Sequence, residues 1–139
     1  MKKTKHDDYE ICVKFDVWSG FKVYIIFTGN LATSRRGRYE TAGVAGEDGT
    51  SALFTRGAGG YGHLFFRYDA SAEVIAHECW HAIHAMFAWA GVKDWDNETV
   101  AYHLGHLIGK TSEFQAKVLG VKFKPIPRSS NEKSRSNTR

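Results

Sequence analysis

The hydrophobic period of this chain changes once. Between Tyr9 and Thr28 apolar residues alternate with polar ones, and from Ser71 onward they recur at intervals of three and four. A period of two belongs to a half-buried strand and a period near 3.6 to a helix with one buried face. A chain of 139 residues that writes strands first and helices afterwards has room for a single core. The ordering predicts an α+β domain, with an N-terminal antiparallel or mixed sheet packed on two C-terminal helices.

In "YEICVKFDVW" the alternating positions are Ile11, Val13, Phe15 and Val17. "FKVYIIFTGN" follows the pair Ser19-Gly20 and is rich in β-branched and aromatic residues, so the two segments predict a hairpin. From Leu31 to Gly62 the pattern fades, and "GRYETAGVAGEDGTSALFTRGAGGYG" carries eight glycines in 26 residues. Glycine at that density predicts a long surface loop, or a lid or rim facing a substrate. "HLFFRYD" restores strand character before the first helix.

That helix is expected to begin at Ser71 as N-cap, with Glu73 in its first turn, and to stop at Gly91. Its apolar positions are Ile75, Cys79, Ile83 and Met86, flanked by Trp80 and Phe87. A second helix is expected to open at Asp96 or Asn97, to carry Val100, Leu104, Leu107, Ile108, Phe114 and Val118, and to end before Gly120.

The net charge of +4 is unevenly placed. The last eighteen residues hold six lysines and arginines against Glu132 alone, a net +5, which leaves residues 1–121 at −1. The domain is thus expected over 1–121, followed by a basic, disordered tail over 122–139. A near-neutral body limits nucleic-acid binding to weak, salt-sensitive phosphate contacts of that tail. No apolar run approaches the length of a membrane span, and "MKKTKHDDYE" has no apolar stretch behind its lysines, so the expected compartment is the cytoplasm. Cys12 and Cys79 are accordingly expected as two reduced, buried thiols.

The chemistry concentrates in "VIAHECWHAIHAM", where His77, Glu78 and His81 form HExxH. Residues four apart on a helix lie about 40° apart around its axis, so both imidazoles leave one face a turn apart and can bind one zinc ion. Glu78, one step round, is placed to act on the water such a metal activates. With seven His and eight Glu in the chain, HExxH arises by chance about 0.02 times, and its helical setting lowers that further. A catalytic zinc needs a third protein ligand and an open position. Glu98, at the start of the second helix, is the preferred candidate because it sits on a rigid element; Asp94, Asp96 and His84 are the reserves. His84 lies two turns from His77 and is expected to support or pack. Tyr102, one turn after Glu98, is placed to steady a ligand or an oxyanion, or to pack. His103 and His106 point away from Glu98 and are expected at an interface or on the surface, with a role toward a transition state as the alternative for either, while Gly105 is expected to let the two helices approach closely.

HExxH, a short turn and the Asn97-Glu98-x-x-Ala101 helix together resemble the gluzincin arrangement. More closely, "HECWHAIHAMFAWAGVKDWDNETVAYHLGHL" resembles a class of small zincin-like metallopeptidases, many of them phage-encoded, that carry HExxHA and a downstream Glu-x-x-Ala-Tyr. The resemblance covers roughly residues 74–109 and is specific at His77, Glu78, His81 and Glu98. It implies a minimal zincin core in which "HLFFRYD" is an edge strand lining the cleft, one zinc per chain, and hydrolysis of a peptide or protein substrate with Glu78 as general base. Tyr102 stands where larger gluzincins have an aspartate. "HECWHA" also echoes the SprT-type proteins, whose third ligand is a histidine; that position falls near Asp94 here.

A chain this short leaves little room for deep specificity pockets. The expectation is a shallow cleft, a restricted substrate, or a self-inhibited site closed by the glycine-rich loop. The competing expectations are a catalytically silent zinc-binding interaction module, acting on a host protein if phage-encoded, and a weak nucleic-acid binder.

Overall fold

The computed structural model describes residues 1–3, 8–31 and 52–122. The architecture is α+β: a five-stranded mixed sheet with two helices. The strands are β1 (Lys2–Lys3), β2 (Tyr9–Phe15), β3 (Phe21–Thr28), β4 (Ala52–Arg56) and β5 (Tyr61–Arg67), and the helices are α1 (Ala72–Trp89) and α2 (Asn97–Lys122). The order across the sheet is β1-β2-β3-β5-β4, with β3 and β5 parallel and every other pair antiparallel.

The expected hairpin is β2–β3, paired from Tyr9 opposite Phe27 to Phe15 opposite Phe21. Its connection is a 3-10 turn over Asp16–Trp18 followed by Ser19 and Gly20, both in the left-handed region, with the Gly20 amide donating to the Phe15 carbonyl at 3.1 Å. Val17 therefore leaves the strand pattern and stands 83% exposed in the turn.

Two sequence expectations are corrected in the sheet. The glycine-rich stretch is not loop throughout: Ala52–Arg56 is a strand, and β5 opens at Tyr61. Alternation in "ALFTR" puts Ala52 and Phe54 against the core, and glycines 57, 59 and 60 form the turn into β5. Gly60 is required by contact, since a Cβ there would lie 2.5 Å from the Trp89 ring at the end of α1. The earlier part of the stretch, residues 32–51, lies outside the described residues, and so does the tail from 123. "HLFFRYD", secondly, is not an edge strand. β5 is flanked by β3 and β4, and β4 is the edge. His63 to Phe66 are all buried, the signature of a strand covered on both faces.

Both helices lie on one face of the sheet, α1 over β4 and β5 and α2 over β2 and β3. The core between them takes Val13 and Phe15 from β2, Phe21, Val23, Ile25 and Phe27 from β3, and Leu64 and Phe66 from β5. From the helices it takes Ile75, Ile83, Met86, Phe87, Leu107, Phe114 and Val118. Burying such side chains stabilises the fold by about 1.5–3 kcal/mol each before the entropy of ordering the chain is set against it.

The helix ends follow the capping chemistry. The Ser71 hydroxyl accepts from the Val74 amide at 3.2 Å. After α1 the Val92 amide reaches the Phe87 carbonyl and the Gly91 amide the Ala88 carbonyl, with Gly91 at φ +74°; this is a Schellman ending, which favours glycine at that position. Asp96 caps α2, accepting from the Thr99 amide at 2.7 Å and the Thr99 hydroxyl at 2.9 Å. α2 runs two residues past Gly120, where it was expected to stop. The Gln115 side chain donates to the Tyr68 and Ala70 carbonyls at 3.1 and 2.8 Å, fastening the loop that leads into α1 onto α2.

Candidate metal centre

On α1 the buried positions are Ile75, Cys79, Ala82, Ile83, Ala85, Met86 and Phe87. Taking Cys79 as the reference and stepping about 100° per residue, His77 and His81 lie at about 160° and 200°, on the side facing away from the core. Both rings are exposed, and the Nε2 atoms are 3.1 Å apart. Their centroids are 4.8 Å apart with planes at 76°. Two nitrogens on one tetrahedral zinc at about 2.0–2.1 Å would be separated by about 3.3–3.4 Å. The pair fits a shared metal with an adjustment of a few tenths of an ångström. In the metal-free arrangement one Nε2–H donates to the other Nε2. Glu78 is half-buried on the flank of the helix next to this face.

Cys79, inside the motif, does not belong to the site. Its Sγ contacts the Thr111 hydroxyl at 3.7 Å in the helix–helix seam, and burial pushes its pKa up to about 12. It is a protonated packing residue, buried as expected, whereas Cys12, also expected to be buried, is exposed on β2.

The other expected site residues are elsewhere. The contacts pair Cys79 with Thr111 and Phe87 with His103. Eight residues forward on α1 thus match eight residues back on α2, so the helices are antiparallel in one register. Five residues before His103 on α2, Glu98 lies past the C-terminal end of α1, ~16 Å of axial rise beyond His81. Glu98 and Tyr102 are exposed, Tyr102 at 75%, with its ring edge against His103 at 5.4 Å. The Asp96 carboxylate is committed to the α2 cap, and the Thr99 hydrogen bonds hold its pKa below the ordinary value. Asp94 is exposed in the turn. Among the described residues no three His, Cys, Asp or Glu side chains come together as a metal-binding group. The structure brings His77 and His81 together and does not bring Glu98 to them.

His84 packs instead of ligating. Its ring stands edge-on to Trp95 at 4.4 Å, and Trp80 lies 6.2 Å from His84 and 6.5 Å from Trp95. This aromatic group borders the histidine pair, and Trp80 is 42% exposed. Gly105 makes no close approach, since a Cβ there would meet nothing within 4 Å. His103 is an interface residue as expected. Its Nε2 accepts from the Trp18 indole at 2.7 Å, which fixes the Nδ1–H tautomer, and burial followed by the nearby His106 lowers its pKa. Nothing local in the sequence signals that bond, because its partners are 85 residues apart.

Grooves of about 410 and 550 Å³ lie against β2, both reaching Ile11 and Cys12 and neither lined by HExxH residues. The histidine pair occupies open helix surface. The chain matches no protein-family model, no curated protein and no solved structure. Among the described residues no helix is long and apolar enough to cross a membrane.

Proposed function

We propose that this protein is a zinc-dependent hydrolase of the metallopeptidase type, acting on a peptide or protein substrate. His77 and His81 hold the metal and Glu78 serves as general base. The observation that carries the reading is the convergence of the two Nε2 atoms, 3.1 Å apart on an exposed helix face, with Glu78 next to them. Zinc, when bound, supplies a Lewis acid that polarises a carbonyl and makes a water acidic near neutral pH. The Glu78 carboxylate takes up the proton of the attacking water and passes it to the departing amine. The histidines orient the metal through Nε2 and keep their protons at Nδ1. Glu98 and Tyr102 take no part in this reading, since the α1–α2 register carries both away from the pair.

A second reading, a zinc-binding interaction module without catalysis, is favoured by one observation: among the described residues no third His, Cys, Asp or Glu joins the histidine pair. The test is zinc content of protein purified without a metal-affinity tag, followed by peptide hydrolysis by the wild type and Glu78→Gln. Zinc in both with cleavage only by the wild type supports the hydrolase. Zinc in both with cleavage by neither leaves the interaction module. No zinc, even after it is offered, overturns both.

A further inference from the structure

The geometry points to a second copy of this chain as the source of the missing ligands: two α1 helices meet across a two-fold axis and hold one zinc with His77 and His81 from each. This rests on the reading that the pair binds zinc, and it adds a partner and a regulated state.

Zinc in a closed site takes four N, S or O donors in a tetrahedron. One copy offers two nitrogens, and among the described residues no third donor joins them. A two-fold axis through the metal doubles two donors to four with no further residue. A self-complementary contact of this kind, in which the same patch serves both partners, is the commonest way identical subunits associate.

His77 and His81 lie about opposite the buried arc of α1 and are both exposed, so another helix can reach them without displacing core side chains. Trp80 is 42% exposed beside His84 and Trp95, and a two-fold contact at the histidines would cover this aromatic group on both copies. A large, partly exposed aromatic is the type of residue that anchors interfaces.

No net proton is released when four neutral imidazoles bind the metal. The ring that carries its proton on Nε2 in the metal-free pair moves it to Nδ1, and each Nε2 lone pair forms one bond to zinc. Four nitrogens leave no open position for water or substrate, so the two-copy form is catalytically closed.

The experiment is sedimentation of the full chain with added zinc chloride and with a chelator, with zinc counted per chain in the sedimenting species. The expected result is a shift from 15.6 kDa to about twice that mass, with one zinc per two chains, reversed by chelator. His81→Ala should stay at the monomer mass with zinc present, and circular dichroism should show it folded, as its exposed position allows. Trp80→Glu should bind zinc but need at least tenfold more protein to associate. One zinc per chain at monomer mass overturns the shared site and leaves the zinc reading standing. No zinc at any mass overturns both. Doubling of mass that persists in chelator, or in His81→Ala, also overturns the proposal.

Discussion

Replacing Glu98 by alanine tests the register of the helical pair, because sequence pattern makes this residue a zinc ligand and the fold does not. A carboxylate ligand must sit about 2.0–2.2 Å from the metal. With Glu98 about 16 Å farther along the axis, only its charge can act on a divalent ion at the histidines. In water that attraction alters zinc affinity about twofold before screening. At physiological salt, with a Debye length of about 8 Å, the change falls to ~1.1-fold. Losing a true ligand should cost at least as much as losing a residue that merely orients one, about 10- to 100-fold. The two outcomes are therefore separated by about an order of magnitude. Zinc affinity, measured by competition against a chromophoric chelator at 0.15 M salt, should be the same for Glu98→Ala and the wild type within twofold. His81→Ala, measured alongside, should lose more than tenfold. A tenfold loss in Glu98→Ala would refute the antiparallel register drawn from the Cys79–Thr111 and Phe87–His103 contacts.

Removing the Gln115 side chain by Gln115→Ala leaves two half-buried carbonyls without their donor, and should cost about 1–2 kcal/mol in urea unfolding; an unchanged midpoint would mean the loop before α1 is held by other means. His103 has a folded-state pKa below its ordinary value of 6.5, so the unfolded chain binds its proton first as pH falls. Its contribution is whole above pH 6.5 and declines as pH drops below that toward the folded value, a slope that His103→Gln should flatten in unfolding experiments run from pH 7.5 to 5. A thiol reagent in native buffer should modify exposed Cys12 and spare Cys79 until denaturant is added; equal labelling of both would contradict the packed seam.

The local features of the fold were legible because local chemistry sets them. Ser71, Gly91 and Asp96 fix helix ends through hydrogen bonds within a few residues. The alternation of Ile11, Val13 and Phe15 fixes a strand, and the spacing of His77 and His81 fixes a shared face. Where the reading failed, the determining contact was distant in sequence. β4 is five residues long inside a glycine-rich stretch, and its pairing with β5, rather than its own composition, makes it a strand. The burial of β5 on both sides was written in "HLFF", four residues without alternation, but its neighbours were not. Glu98 follows His81 at a suggestive interval, yet its height beside α1 depends on the turn between the helices and on packing such as Cys79 against Thr111, 32 residues away.

The parallel pairing of β3 with β5 also governs how the chain reaches this shape. The β2–β3 hairpin and the α1–α2 hairpin each close over a short connection, and such steps take microseconds or less. Joining them requires Lys22 to meet Tyr61 and Thr28 to meet Arg67, 39 residues apart in both cases. Non-local closure of that kind sets the folding rate in small domains, while its entropy grows only with the logarithm of the intervening length.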